Sequence, residues 1–210
     1  MPSSATKTAK PTRERILDNA LRLFAERGYE ATSIGEIEVA AGLVPRSGAL
    51  YKHFPSKRAL IDVALAERVG AIDSIDERME LMPLGDLRAE LTLIGRMVLD
   101  ELERERQLSR LVMREGERFP ELAEAFYASI VERGDRIATA WLSSRASELG
   151  LELPDVEATA KVTINALVGY ALQQHMFGER ATRIDRDRVI AAWTRLTIDH
   201  IDPDGRKRDQ

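Results

Sequence analysis

The chain of 210 residues has no cysteine, which excludes a disulfide framework and any zinc–cysteine site. Histidine is nearly as scarce. His53, His175 and His200 are the whole complement, and no second histidine follows any of them at helical spacing, so no metal site is read from them. Aromatic residues make up only 5%. No apolar run approaches the roughly 18–20 residues of a membrane span, and the N-terminus lacks the apolar core of a signal peptide. The expected location is therefore cytoplasmic, with no membrane partner. A glycine-rich phosphate loop, a nucleophile elbow and a paired-carboxylate motif are all missing. No catalytic residue, cofactor or metal is expected, and the chain does not read as an enzyme. Acid–arginine clusters such as Glu101–Arg106 read as solvated helix faces. Repeats, low-complexity tracts and strand-like alternation are missing too.

What is present is helical periodicity in an ordinary globular composition, 44% apolar and 31% charged, too apolar for disorder. The expected fold is all-α. Net charge is −4 but unevenly spread. Residues 1–60 carry 10 Lys+Arg against 6 Asp+Glu, a net of +4, and the remainder carries 21 against 29, a net of −8. Phosphate affinity follows local charge, because each neutralised phosphate releases counterions. A basic head on an acidic body is the footprint of a DNA binder with a second, non-DNA domain.

The stretch from Thr32 to Lys57 carries the most information. Ser33 and Glu36 form an S-x-x-E capping box, and Ile34, Ile37 and Ala41 then share one helical face. Gly42 supplies a left-handed stop, and Pro45 suits the first turn of a second helix. That second helix is expected to carry Arg46, Ser47, Lys52 and His53 on a polar face, with Leu50 and Phe54 as anchors. Such a pair is a helix-turn-helix, whose second helix enters the DNA major groove. Two amphipathic helices of a bundle produce the same spacing.

The run S-G-A-L-Y-K-H-F-P-S-K at 47–57, with T-S-I-x-E-I at 32–37 and A-A-G at 40–42, resembles the DNA-binding signature of the TetR family of one-component transcriptional regulators. The resemblance spans roughly residues 12–66; beyond it only the general helical layout matches. It implies an N-terminal three-helix DNA-binding domain followed by a helical bundle for ligand binding and dimerisation. Two departures stand out. Five residues, Leu43 to Ser47, separate Gly42 from Gly48 where the family's usual turn has three, and Glu38 stands where a small apolar residue is usual. The longer turn is expected to start the recognition helix differently.

Roles separate by chemistry. Arg46 suits bidentate pairing with guanine, and Ser47 is a small, adaptable hydrogen-bonder. Gly48 permits close backbone approach, Tyr51 and His53 suit phosphate oxygens, and Lys52 suits a base or a phosphate. Thr32 and Ser33, at a helix start, offer hydroxyls and N–H groups to phosphate. Ser56 caps the next helix, with Lys57 beside its positive end as a phosphate clamp. In the basic arm at 1–11, Lys7 and Lys10, with Arg13 just beyond, are candidates for flanking phosphates; an ordinary frayed terminus is the alternative.

Helices are expected at about 13–27, with Thr12 as N-cap and an inward stripe from Ile16 to Phe24, then at 57–81, 87–106, 108–118, 121–149, 155–177 and 185–201. The expected domains are an arm at 1–11, a helix-turn-helix domain at 12–56, a ligand-binding and dimerisation domain at 57–202, and a tail at 203–210. The helix opening at Lys57, with Leu60, Ile61, Ala64, Leu65, Val69 and Ile72 inward, is expected to be the only covalent bridge between head and body. Val156, Ala160, Ile164, Leu167, Val168 and Ala171, continued by Val189, Ala192, Trp193, Leu196 and Ile201, form an apolar stripe on the last two helices. It fits a homodimer interface, the preferred reading, or core packing.

The resemblance also implies a small-molecule effector held in the body. Apolar and aromatic candidates for its walls are Met97, Met113, Phe126, Tyr127 and Trp141; polar candidates for orientation are Asn165, Tyr170, Gln174 and His175. Core packing explains the aromatic and methionine positions equally. The reading is thus a ligand-responsive repressor that binds a palindromic double-stranded DNA operator as a homodimer. A helical-bundle ligand-binding or interaction protein without a DNA role is the alternative.

Overall fold

In the computed structural model of the chain, the described residues are 10–80, 82, 84–178 and 183–202, except the side chains at 68, 69, 71–74, 76 and 80. Lys7 and the tail at 203–210, named above, lie outside that description, as do the side chains of Val69 and Ile72. Every element found among the described residues is helical: α1 (Thr12–Arg27), α2 (Ile34–Ala40), α3 (Lys57–Glu80), α4 (Leu87–Arg104), α5 (Arg106–Glu115), α6 (Pro120–Phe126), α7 (Glu132–Leu149), α8 (Val156–Phe177) and α9 (Arg186–Ile201). A single 3₁₀ turn, Leu50–Lys52, lies between α2 and α3.

The chain divides into two compact units, Met1–Ala66 with Gln107–Ala123, and Glu67–Arg106 with Glu124–Gln210. It therefore passes between them at 66–67, 106–107 and 123–124. This corrects the expectation that α3 is the only covalent link. The signals around residues 107–123 mark helix ends but carry no information about which unit a helix joins.

In the first unit, α1 buries Ile16, Leu17, Ala20, Leu21, Leu23 and Phe24. Thr12 does not cap it. Pro11 holds the cap position with no side-chain hydrogen bond, and Thr12 is the first helical residue. Gly28, at φ 98°, ends the helix and returns its N–H to Phe24 O. The Ser33–Glu36 capping box forms at the start of α2, where Ile37 is buried. Ala41, Leu50, Phe54, Leu60, Ile61, Ala64 and Leu65 are also buried in this part of the chain. Ser56 Oγ accepts the Ala59 N–H at the start of α3, as expected.

Helix α5 and the start of α6 close this unit. Arg114 donates to the carbonyls of Glu26 (2.9 Å) and Arg27 (3.1 Å) at the end of α1, a cation meeting a negative helix terminus. Glu115 Oε1 accepts the Tyr29 N–H at 3.0 Å. Tyr29 packs against Phe24 and Phe119, with ring centroids 5.2 and 5.5 Å away. Arg58 on α3 pairs with Glu121 on α6 at 3.0 Å.

The second unit packs α4, α8 and α9 around Leu91, Ile94, Leu99, Leu167, Ala171, Ile190 and Trp193. Asp86, Asp155 and Asp185 cap α4, α8 and α9 through backbone N–H groups, and left-handed Gly150 ends α7. The helix expected over 121–149 is interrupted by a π-helical turn, Tyr127–Val131, between α6 and α7. Glu90, fully buried, pairs with Arg145 Nε of α7 at 3.0 Å and accepts the Leu84 N–H at 2.7 Å. No helix among the described residues is long and apolar enough to cross a membrane.

Candidate nucleic-acid interface

The expected second helix of the pair, from Pro45 onward, does not form. Between α2 and α3 the chain runs through turns, and the only helical element is the 3₁₀ turn Leu50–Lys52. Two left-handed residues explain the difference. Arg46 has φ 59° and Gly48 φ 71°, and neither fits a right-handed helix. The backbone partners are local. Ser47 N–H donates to Val44 O, Tyr51 N–H to Gly48 O, and His53 and Phe54 N–H to Leu50 O.

What holds this stretch is a side chain from α2. Glu38 is 0% exposed. Its Oε2 accepts the Arg46 N–H at 2.6 Å and its Oε1 accepts the Leu50 N–H at 3.2 Å. Leu50 (0%) and Phe54 (1%) anchor the far side in the interior. Pinned from both sides, the segment turns Val44, Pro45, Arg46, Ser47, Tyr51, Lys52 and His53 to solvent. These include five of the nine positions named from sequence. Val44, 72% exposed beside Arg46, was missed; an exposed valine next to an arginine is suited to a thymine methyl, but chain order alone does not reveal its exposure.

The remaining four positions sit differently. Ser33 is exposed, but its hydroxyl is engaged in the capping box. Gly48 is half-buried and serves the turn through its positive φ. Thr32 is buried, and its Oγ1 donates to Gly28 O and Leu23 O. The Lys57 ammonium donates to Tyr29 O and Thr32 O and lies 4.2 Å from the Tyr29 ring centroid.

Five acidic side chains of the head pair with its own cations: Asp18 with Lys10, Glu26 with Arg22, Glu36 with Arg27, and Asp62 and Glu121 with Arg58. The Ser33 backbone N–H, then the Ser33 hydroxyl and Arg27, hold the Glu36 carboxyl below the usual carboxylate range. Burial pushes the Tyr29 phenol up. Arg46 and Lys52 meet no carboxylate among the described residues. An uncompensated arginine and lysine flanking a tyrosine on one exposed segment suit an anionic backbone. In the basic arm, Lys10 pairs with Asp18 at 2.7 Å, and the Arg13 guanidinium lies 5.3 Å from the Phe54 ring centroid.

The effector candidates fall in both units. Met113 belongs to the first unit and is exposed. In the second unit, Trp141 and Tyr170 pack against the Leu91–Trp193 core. Gln174 Nε2 donates to Tyr170 Oη at 2.9 Å, and Tyr170 donates to Ile184 O at 3.1 Å. His175 is buried, with Nε2 3.4 Å from Glu103. Met97 and Phe126 are half-buried, while Tyr127 and Asn165 are exposed. The apolar stripe assigned to dimerisation splits. Of its residues Ala160, Leu167, Ala171, Trp193 and Ile201 are buried within the subunit and Leu196 is exposed, while Val162, Met176 and Phe177, outside the stripe as read from sequence, are exposed too.

Comparison with known proteins gives a consistent picture. Residues 16–64 match the family described as bacterial regulatory proteins, tetR family, and residues 89–199 match the C-terminal domain of AefR-like transcriptional repressors. The uncharacterized HTH-type transcriptional regulator YvkB of Bacillus subtilis is 24% identical over 195 residues, 93% of this chain and 100% of that protein. The HTH-type transcriptional repressor KstR2 of Rhodococcus jostii is 44% identical over 64 residues, 30% of each chain. Among solved structures, the fatty acid degradation regulator FadR from Bacillus halodurans superposes with a TM-score of 0.67 at 20% identity, covering 91% of this chain and 97% of that one. That likeness shows the fold.

Proposed function

The chain belongs to the TetR family of bacterial transcriptional regulators, and on that premise we propose that it is a homodimeric, effector-responsive repressor of a palindromic operator. The observation that carries the DNA contact is the exposed segment Arg46–His53, pinned by Glu38 behind it and by Leu50 and Phe54 beneath it. Arg46 and Ser47 read base edges. Tyr51, Lys52 and His53 meet phosphates, Gly48 serves the turn that presents them, and Thr32, Ser33 and Lys57 brace the connection from α1 to α2. A second copy supplies the second half-site, with the two reading segments roughly 34–36 Å apart or a multiple of it.

Support for the pairing comes from the apolar residues that α8 and α9 leave uncovered, Val162, Met176, Phe177 and Leu196, at the helices where the sequence pattern places the interface. A small molecule bound in the second unit releases the operator only by favouring a conformation that binds DNA poorly. The three chain crossings between units are its covalent routes.

Selection of bound sites from random duplex DNA tests the reading. The expected product is an inverted repeat whose affinity falls steeply with salt. Enrichment of no sequence, or binding indifferent to salt, refutes it. A reporter fused to the selected site then distinguishes repression from activation.

A further inference from the structure

Glu38 is an unusual side chain for its place. A carboxylate with no exposed surface is costly to bury unless its oxygens accept hydrogen bonds. Each oxygen of Glu38 accepts one backbone N–H, from Arg46 and from Leu50, and no cation pairs with it among the described residues. Both donors belong to the DNA-facing segment. Arg46 is the only non-glycine residue at positive φ among the described residues, a conformation that side-chain-bearing residues avoid. Such a residue persists only when its surroundings over-determine it. Leu50 opens the 3₁₀ turn that carries Tyr51 and Lys52.

We infer that Glu38 is the positioning residue for sequence reading by this chain: its buried carboxylate fixes Arg46 in the left-handed conformation and locks the Arg46–Ser47 turn in register with the Tyr51–Lys52 turn. One group thereby sets the geometry of the base-reading and phosphate-reading parts together. The long turn and the acidic residue at position 38, two separate departures in the sequence, are then one feature. Arg46 lies within the five-residue turn and Leu50 just beyond it, and Glu38 accepts the N–H of both. The inference rests on the DNA-binding reading and adds to it a residue that touches no DNA.

The test compares the full-length wild type with Glu38→Gln and Glu38→Ala. Glutamine keeps the volume and one acceptor, so it guards against loss of folding. Backbone amide exchange is followed at Arg46 and Leu50, with Ile37 and Leu60 as core references. Affinity is measured for the site selected by the wild type and for a scrambled duplex, across a salt series. The expected result is fast exchange at Arg46 and Leu50 with protected core amides. The specific-to-scrambled affinity ratio falls about tenfold or more, the size of one lost bidentate base contact, while scrambled-site affinity and its salt slope are retained. Glutamine falls between wild type and alanine. A purely structural role lowers both affinities together and leaves the ratio intact, and that outcome overturns the inference. So does fast exchange of the Arg46 and Leu50 amides in the wild type. A wild type that selects no site refutes the DNA-binding reading, and the inference with it; a wild type that selects one while Glu38→Ala keeps the ratio refutes the inference alone.

Discussion

Replacing Lys57 with methionine separates two roles for a cation that opens α3. As a phosphate clamp, Lys57 contributes to DNA affinity and little to folding. Its geometry points inward. The ammonium donates to Tyr29 O and to Thr32 O (3.0 Å) and sits 4.2 Å from the Tyr29 ring centroid, joining α3 to the α1–α2 connection. Hydrogen bonds from a charged donor contribute about 1.5–3 kcal/mol each, and a cation–π contact at a partly exposed site about 0.5–1 kcal/mol. Lys57 is only half-buried, so water reclaims part of both carbonyls in the variant. The terms sum to about 3.5–7 kcal/mol, and the expected net loss after that solvation is about 2–4 kcal/mol. With a urea dependence of about 2 kcal/mol/M, the unfolding midpoint drops by about 1–2 M. Circular dichroism across a urea series reads this directly. A salt series on the selected DNA site provides the contrast, since each lost phosphate contact lowers the log–log slope by about 0.9. A variant that unfolds at the wild-type midpoint but loses one unit of slope refutes the inward role.

Other perturbations address other elements. Ser33→Ala removes the acceptor for the Glu36 N–H and the hydroxyl bonded to Glu36, with an expected cost of about 1 kcal/mol near neutral pH. Glu36 binds its proton less readily folded than unfolded, so its contribution is complete above the usual carboxylate range and fades as pH falls through its lowered pKa. The gap between wild type and Ser33→Ala should therefore narrow in acid, as thermal melts from pH 7 to 3 will show. Phe177→Glu with Leu196→Glu places charge on exposed positions of α8 and α9; sedimentation should shift from dimer to monomer with unchanged helicity, and a persisting dimer removes this interface. Arg145→Met leaves the buried Glu90 carboxylate without its cation, with an expected loss of about 3–5 kcal/mol in urea unfolding.

Most helices were legible because their ends carry side-chain signals. Ser33–Glu36, Asp86, Gly150 and Asp185 each mark a boundary where the structure has one. The stripe of α1 was equally plain, since its core positions recur at helical spacing. The reading segment was legible in location but not in form. Its polar and apolar residues suit a helix, and only the long-range bonds from Glu38, with Arg46 in a left-handed conformation, show that a helix does not form there. Lys57 and Thr32 illustrate a related blind spot. A helix start favours anions, yet here carbonyls of the same chain are the partners, and sequence cannot say which oxygen arrives first. On α8 the periodic stripe was visible, but which part faces the subunit's own core and which part faces outward depends on the neighbours of α8.

The thrice-crossing chain has a practical corollary for recombination. A fragment ending at residue 66 lacks the arginine that covers the exposed carbonyls of Glu26 and Arg27 and the carboxylate that receives the Tyr29 amide. Grafting the reader of this protein onto a different sensor therefore requires two pieces, 1–66 and 107–123, transplanted together. A one-cut hybrid would carry the sequence motif while leaving its supporting bracket behind.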